Sequence, residues 1–552
     1  MTLLTYIIFY LLLLLFVRGL LLILRSLFKQ HKVIISKFLE KESIYFPTIS
    51  LFILGNFAFV FNFIYPLKAL FPFMISIVLL IILYNLTSLN FNNLNYEGLV
   101  THLLIPAILS FSSYGSNFHP DAAAYHLNAQ NWIRESQIVF GLSNITWTYG
   151  YQSMFEFISA SFWLKNNFIF LHFVNVVFMT LFFNFLYKNL LKSDNTFLFF
   201  FSLTTLVFGL LDNFGVDGGK NGFVVFQSIG KFDVSFGILF LITNLKIINE
   251  IKSKKFSPTE FHLIVFLSLF SFQIKVFGIY LLIPLLFYLI KFKISILKFI
   301  NKTFTYIVLL LLWSIKSIIN TACVIYPISI TCIDSLDWYI DGWVTYLVKN
   351  VRSFHKSYNF DENLIDWFIE WRMFGQNNTT VINFAFSIFI IFLITIIFTK
   401  KSRFFSRQNM LIASYIFLLN LLWLYSSPEI RFGIGIFLLS LSILSMSIYE
   451  FKYKFIKKIA NKHSFTLLVL VCSFLVVRVE SYQYFIDNPS KFYEIDVPII
   501  EYISNPSTWN VIPADNINEC WINLECVPAK WIMYKDSIGS YTVITNEFST
   551  YP

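Results

Sequence analysis

Long runs of apolar residues recur along the whole chain and are separated by short polar segments. Two examples are TYIIFYLLLLLFVRGLLLIL near the start and TVINFAFSIFIIFLITIIF from Thr380. Each run has about 20 residues, and a helix of that length crosses a hydrocarbon core of about 30 Å. Apolar and polar residues do not alternate within them, so the pattern predicts membrane-spanning helices rather than barrel strands.

Composition agrees with this pattern, because 57% of the residues are hydrophobic and only 13% are charged. Such a chain is not an ordinary soluble globule. The first run lacks a preceding basic residue and a following small-residue cleavage site, so we expect a permanent helix, not a signal peptide. The net charge of +10 comes from basic clusters between spans and therefore implies no nucleic-acid partner.

Basic clusters between spans indicate orientation, because they favour the cytoplasmic side of a membrane. Threading the chain through them predicts an N-terminus outside and about 14 spans, with residues 261–290 as two short helices around Lys275. The clusters are residues 25–41, 188–192, 252–255, 291–302, 400–407 and 452–462.

These features predict an all-α polytopic membrane protein. We expect a transmembrane domain over residues 1–479, with extracytoplasmic loops at 113–152 and 321–380. Residues 480–552 are less apolar and predict a small extracytoplasmic C-terminal cap.

Cysteine placement fits an oxidising compartment outside the membrane. Cys323 and Cys332 share one outer segment, and Cys520 and Cys526 share another. We expect these four as disulfide candidates, while unpaired reduced thiols remain the alternative.

The first large polar loop, GSNFHPDAAAYHLNAQNWIRESQIVFGLSNITWTYG, holds the leading candidates for chemistry. Asp121 followed by alanines predicts the start of a helix. At regular helical spacing Asp121, Tyr125, Asn128 and Trp132 share one face. That face suits a hydroxyl-bearing substrate such as a sugar.

Asp121 is the candidate catalytic residue. Its carboxylate can accept a proton from an attacking hydroxyl or hold a divalent cation, Mg2+ or Mn2+, beside a leaving phosphate. The alternative is an ordinary first-turn acid on an interfacial helix. His119 and His126 are further metal-ligand candidates, although two histidines and one acid are a weak metal signature.

Ionisable residues near the ends of spans form a second group of candidates, because charge in hydrocarbon is costly and usually faces a cavity or a partner. Together they predict a ring of cations for an anionic lipid head group. The group consists of Lys231, Asp233, Lys275, Lys316 and Arg431.

Structural alternatives exist for these residues too. Arg431 is two positions from Glu429 and can form a salt bridge with it, or anchor the chain at the interface. Lys231 and Asp233 can pair with each other, and Lys275 can snorkel towards the membrane surface.

The order of these segments resembles the GT-C superfamily of multi-spanning glycosyltransferases, and more closely a family of bacterial membrane proteins near it. The segments that carry the resemblance are HPDAAAYHLNAQNWI, FGLSNITWTYGYQSMF, CVIYPISITCIDSLDW, SPEIRFGIG and ECWINLECVP.

The resemblance implies a GT-C-like helical bundle in a bacterial inner membrane. It implies transfer of a hexosyl or pentosyl group from a polyprenyl-phosphate donor to a glycan, lipid or protein acceptor on the extracytoplasmic side. Asp121 matches the loop acid of the superfamily, and sugar stacking would fall to Trp132, Tyr149 and Tyr151. The residues expected to bind substrate or donor are Arg431, Lys275, Tyr125, His126, Asn128, Trp132, Lys231 and Asp233.

Three other functions stay open from sequence. A transporter or flippase for lipid-linked glycans needs the same spans and cations, and matching broken helices would favour it. A glycan polymerase or ligase uses the same donors but relies chiefly on arginines in outer loops, and Arg352, Arg372 and Arg431 keep it open. A scaffold protein would be indifferent to Asp121→Asn.

Overall fold

The structure of this protein is a computed structural model. The residues that it describes are 1–28, 32–87, 95–151, 153–164, 167–191, 195–213, 224–253, 256–352, 364–373, 406–426, 428–448, 461–504, 510–514, 519–527 and 533–546.

Helices account for most of the described chain. They are α1 Thr2–Leu27, α2 Lys32–Lys41, α3 Phe46–Asn62, α4 Leu67–Thr87, α5 Tyr96–Leu99, α6 Ile105–Ser110, α7 Leu127–Glu135, α8 Met154–Ala160, α9 Ile169–Leu191, α10 Thr196–Asn213, α11 Asp233–Lys252, α12 Pro258–Ile274, α13 Leu282–Lys291, α14 Ile296–Thr321, α15 Trp343–Arg352, α16 Leu364–Met373, α17 Arg407–Ser426, α18 Ile430–Ile448, α19 Lys462–Val476 and α20 Val479–Asp487.

Seven described helices are long and apolar enough to cross a membrane, and an eighth span results if the bent pair α19 and α20 counts as one. The chain is therefore a mostly helical, multi-pass membrane protein. Several further apolar helices are shorter, and the run from Thr380 lies outside the described residues.

The C-terminal part adds short strands to the mostly helical chain. Strand β1 (Tyr502–Ser504) pairs with β2 (Val511–Pro513), and β3 (Met533–Ile538) pairs with β4 (Tyr541–Asn546), both antiparallel. Gly539, with a positive φ of 63°, lies in the turn between β3 and β4.

The centre of the bundle is formed by α9 and α11. In the most apolar stretch of α9, 94% of the residues are buried, and in α11 83%. The corresponding values are 17% for α4 and 22% for α14, so these two helices expose most of that stretch at the periphery. All four helices are long and apolar enough to cross a membrane. Only their packing in the folded protein shows which of them are central and which are peripheral.

Glycines allow α11 and α18 to pack at very short range. A Cβ atom on Gly435 would lie 2.6 Å from the carbonyl oxygen of Gly237 and 3.1 Å from its Cα. Small residues at such crossings let helix backbones approach closely in membranes. This contact brings the N-terminal ends of α11 and α18 to the same end of the bundle.

The chain breaks sharply between α12 and α13, as the sequence suggested around Lys275. Lys275 is extended (φ −151°, ψ 137°), and a 3-10 helix over Val276–Leu281 follows it. Gly278 lies directly against the backbone of Phe272, where a side chain would clash. The break places the charged side chain of Lys275 at the end of the bundle that holds the start of α11.

We predict that Gly435→Leu destabilises the protein, because the added side chain cannot fit against Gly237. Overpacking of this kind costs about 1–3 kcal/mol. Thermal unfolding of the purified protein in detergent measures the change. Ser76→Leu, which introduces the same side chain at an exposed position of α4, is the control, and equal unfolding temperatures for both variants would contradict the proposed packing.

Candidate functional site

A cavity of about 680 Å³ lies where several helix ends meet. Its wall combines the polar loop before α7, the starts of α11 and α18, the break after α12 and the final turns of α14. This volume is within the usual range for a small-molecule site. The ionisable residues of the wall are Asp121, Tyr125, His126, Glu156, Lys231, Asp233, Lys275, Tyr280, Lys316, Arg431 and the tyrosines at 149, 151 and 326.

Asp121 precedes a turn of π-helix that covers Ala122–His126 and continues into α7. The turn is closed by a hydrogen bond from the Leu127 N–H to the Ala122 carbonyl, five residues back. Wide turns of this kind occur frequently at functional sites. The extra residue also rotates α7 relative to the positions expected for a regular helix.

Asp121 is surrounded by donors from three parts of the chain. Its Oδ2 atom accepts a hydrogen bond from the Tyr125 hydroxyl (3.2 Å) and one from Arg431 Nη1 (3.1 Å). The Nζ atom of Lys231 lies 3.9 Å from the same oxygen. Nδ1 of His119 lies 3.4 Å from Oδ1 but does not donate to it, because it accepts the Asp121 N–H. Arg431 also contacts Glu429, so the salt bridge considered from sequence exists beside the bond to Asp121.

Lys231 reaches Asp121 because the backbone before α11 pairs with the loop. The Ile229 carbonyl accepts a bond from the His119 N–H (2.8 Å), and the Ile229 N–H donates to Asn117 (2.9 Å). Gly230 has φ of +93°, and a Cβ there would lie 2.6 Å from that of Ala122. A glycine is therefore required for this close approach.

Asp233 does not pair with Lys231, the alternative suggested by their spacing. Its Oδ1 atom accepts a 2.6 Å bond from Lys275 Nζ, which also lies 3.5 Å from the centre of the Phe432 ring. The Lys231–Asp121 separation of 3.9 Å is longer than a hydrogen bond. The ammonium group of Lys231 therefore retains donors for a ligand.

The pKa of Asp121 lies below its ordinary value. Burial opposes the charged carboxylate, but Lys231 and Arg431 outweigh that effect. The pKa of His119 is also lowered, by burial and by Lys231, against the effect of Asp121. Asp121 is thus an ionised carboxylate and a weak base, and His119 is a neutral imidazole near pH 7.

Asn128 and Trp132, expected on the same face as Asp121, lie elsewhere. Both are almost fully buried, and neither is on the cavity wall. The Asn128 amide donates to the carbonyl of Asn523, and Trp132 packs in a small core with Val527. The π turn shifts the register after Tyr125, which corrects the single-face prediction.

The C-terminal segment supports this turn directly. The Trp521 N–H donates to the carbonyl of Ala123 (2.8 Å), and the Asn131 amide donates to Ile522 (2.7 Å). Cys520 and Cys526 form a disulfide that closes the same short loop. The other disulfide joins Cys323 to Cys332, near cavity residue Tyr326.

His119, His126 and Asp121 do not converge as metal ligands. The Asp121 N–H donates to Nδ1 of His119 (3.0 Å), and Nδ1 of His126 bonds Glu156. Within the described ranges, no three side chains of His, Cys, Asp or Glu form a possible metal cluster. The three candidates therefore do not fit a bound cation.

A comparison with known protein families gives a match over most of the chain. A family model described as a domain of unknown function, DUF8201, matches residues 1–438. The chain belongs to this DUF8201 family. No curated protein and no solved structure matches it. In this DUF8201 protein the charged cavity residues fall inside the matched range, whereas the segment that braces the π turn lies beyond it.

Glu156 is a cavity residue to which the sequence interpretation assigned no role. It is only 3% exposed, and it bonds both His126 and Gln130. The sequence feature that could have identified Glu156 is an acidic residue within the otherwise apolar segment MFEFISASFW. Lys275 and Arg431 were selected because they are charged residues in or beside apolar segments.

We predict that the contribution of Asp121 to stability disappears at low pH. A carboxyl group whose pKa is lowered by folding stabilises the protein above its unfolded pKa of about 3.9, and that stability is lost as pH falls through the folded pKa. Asp121→Asn should therefore lower the unfolding temperature most above about pH 5, with the difference from wild type shrinking below about pH 4.

Thermal unfolding in detergent between pH 7 and pH 3 measures this difference. Asp487→Asn, at an exposed position of α20, serves as the control. A constant gap between wild type and Asp121→Asn across the whole range would contradict the assigned ion pairs.

Proposed function

We propose that this protein is a membrane glycosyltransferase of GT-C type. It would move a sugar from a polyprenyl-phosphate donor to the hydroxyl of a glycan, lipid or protein acceptor. The observation that most directly supports this proposal is the 3.1 Å contact of Asp121 with Arg431, inside a cavity that is also lined by Lys231, Lys275 and Lys316. A carboxylate among cations matches a reaction between a hydroxyl and a phosphate-linked sugar.

The cations suit the leaving phosphate. Arginine presents a planar pair of donors to phosphate oxygens, and lysine acts as a compact charge. Lys231 keeps donors available because its contact with Asp121 is long. Phosphate would thus meet Lys231 first and then compete with Asp121 and Glu429 for Arg431.

The remaining wall suits a lipid carrier and a sugar. Apolar residues of the break after α12, such as Phe277 and Ile279, line the cavity, and Leu282 and Leu286 of the following helix are more than half exposed. A polyprenyl chain would pass between this surface and membrane lipids. The rings at the cavity that would stack on a sugar are those of Trp147 and Tyr151. The Tyr149 ring is only 1% exposed and packs in the small core with Trp132.

We further propose that the cavity faces the extracytoplasmic side of a bacterial inner membrane. Basic residues lie at the opposite ends of the helices that bound it, as Lys252 of α11 and Lys291 of α13 do. The positive-inside rule assigns those ends to the cytoplasm. Both disulfides lie beside the cavity, which fits an oxidising compartment. About 14 spans and a C-terminal cap over residues 480–552 belong to the same proposal.

We expect Asp121→Asn to abolish sugar transfer, because it removes the charge that orders the cations while keeping the shape. A loss of at least about 100-fold follows from removing a charged group at the reaction centre. Mass spectrometry of surface glycans and lipid-linked sugars measures it in cells that lack the protein and receive either version at equal abundance.

Asp487→Asn, which changes an exposed aspartate in the same way, should restore the glycan fully. Accumulation of a lipid-linked sugar with Asp121→Asn alone supports the transferase. Restoration of the glycan by Asp121→Asn would contradict it.

Arg431→Lys should weaken donor binding about tenfold, because the variant keeps the charge and loses the planar pair of donors. Binding of a short synthetic polyprenyl phosphate to the detergent-purified protein, measured by calorimetry, tests this effect. Arg478→Lys at an exposed position is the control. Unchanged affinity of the Arg431 variant would remove phosphate binding from its role.

One observation favours a flippase or polymerase for lipid-linked glycans as the second candidate. The chain is broken at Lys275, and broken helices beside charged sites are typical of transporters. A flippase would leave its substrate on the inner leaflet when Asp121 is changed. A polymerase would leave single repeat units, whereas the proposed transferase leaves the sugar donor on the outer leaflet.

A further inference from the structure

We propose that His126, held by Glu156, is the base that accepts the proton of the acceptor hydroxyl in the cavity. This inference rests on the proposed function and assigns a step within it. Asp121 then serves to orient Arg431 and Lys231 rather than to take the proton.

Asp121 is poorly suited to accept a proton. Its Oδ2 atom already accepts bonds from Tyr125 and Arg431, and Lys231 lies nearby. The lowered pKa that results from these cations means that the carboxylate binds protons weakly. A better base must therefore come from another residue on the same wall.

Hydrogen bonds fix the tautomer of His126 step by step. The indole of Trp163 can only donate, and it bonds Oε1 of Gln130 (2.8 Å). The amide nitrogen of Gln130 consequently faces Glu156, and donates to Oε2 at 2.6 Å. Oε1 of Glu156 then accepts a hydrogen bond from the Nδ1–H group of His126.

This chain of bonds leaves Nε2 of His126 as the basic ring atom. A carboxylate at Nδ1 holds the ring in one tautomer and stabilises the imidazolium that forms when Nε2 takes a proton. Glu156 is itself buried, and Lys316 of α14 interacts with it electrostatically. The arrangement is that of a carboxylate–histidine pair with one nitrogen available to a substrate.

His126 and Glu156 both line the cavity that contains Asp121. The His126 ring packs against Tyr125 (4.1 Å between ring centres) and Phe232 (5.3 Å). The titratable groups that interact with it are Glu156 of α8, which bonds its ring, and Asp121 and His119 of its own loop. Lys316 of α14 interacts with Glu156. His126 therefore reaches the space where donor and acceptor would meet.

The proposed step balances as a direct displacement. The acceptor O–H bond breaks, and its proton moves to Nε2 of His126. The acceptor oxygen forms a bond to the anomeric carbon of the sugar while the carbon–oxygen bond to phosphate breaks. The phosphate leaves with the bonding electron pair beside Lys231 and Arg431, and the imidazolium later returns its proton to water.

The experiment uses detergent-purified full-length protein with a lipid extract from cells that lack it. Release of polyprenyl phosphate is followed by mass spectrometry between pH 5 and pH 9. For wild type we expect the rate to fall at acidic pH, because a protonated imidazole cannot accept a proton. A carboxylate base with the lowered pKa of Asp121 would instead keep the rate level down to pH 5.

His126→Gln should reduce the rate at least about 100-fold and remove the acidic fall in the remaining rate. Glu156→Gln should lose a similar factor, because a carboxamide can hold the wrong histidine tautomer. His172→Gln is the matched control, since His172 is buried equally and bonds Ser112 and Ser116 away from the cavity. It should keep the pH profile of wild type.

The outcomes separate the two proposals. No release by wild type at any pH would overturn the proposed function itself. Active wild type together with an unchanged profile in His126→Gln would overturn only the role of His126. Thermal unfolding checks each variant, and if His126→Gln does not fold, the rate of Glu156→Gln decides instead. A rate equal to that of wild type would overturn the role of the His126–Glu156 pair.

Discussion

The site depends on one ion pair, which joins Asp121 in the first large loop to Arg431 at the start of α18, 310 residues later in the chain. Charges at the end of an apolar bundle are costly unless they are paired. Asp233 and Lys275 satisfy the same requirement between α11 and the break after α12. Because both pairs need their helix ends close together, they determine where the bundle leaves a polar cavity.

Paired charges also control what can bind. A phosphate group that enters must compete with Asp121 and Glu429 for Arg431, and with Asp233 for Lys275. Such competition disfavours weak anions, because each displaced carboxylate needs a new partner. The proposed acid–base chemistry would be kept apart from this exchange, since Glu156 and Gln130 hold His126 on another part of the same wall.

Sequence reasoning selected many of the residues that meet in the cavity, and its errors have physical causes. Charged residues next to apolar runs drew attention to Asp121, Lys231, Lys275 and Arg431, which all line the cavity. The same criterion applied to Glu156 would have added it. Asn128 and Trp132 were assigned to the cavity from regular helical spacing, which the π turn after Asp121 does not follow.

The amino-acid sequence by itself determined a mostly helical membrane protein, because long apolar stretches can only satisfy their backbone in lipid as helices. It also determined which residues carry charge near the ends of those helices. Only the tertiary structure decided the partners, for example that Lys275 pairs with Asp233 and that Trp521 braces Ala123. The reason is that pairing depends on distances between segments far apart in the chain, and local periodicity does not contain those distances.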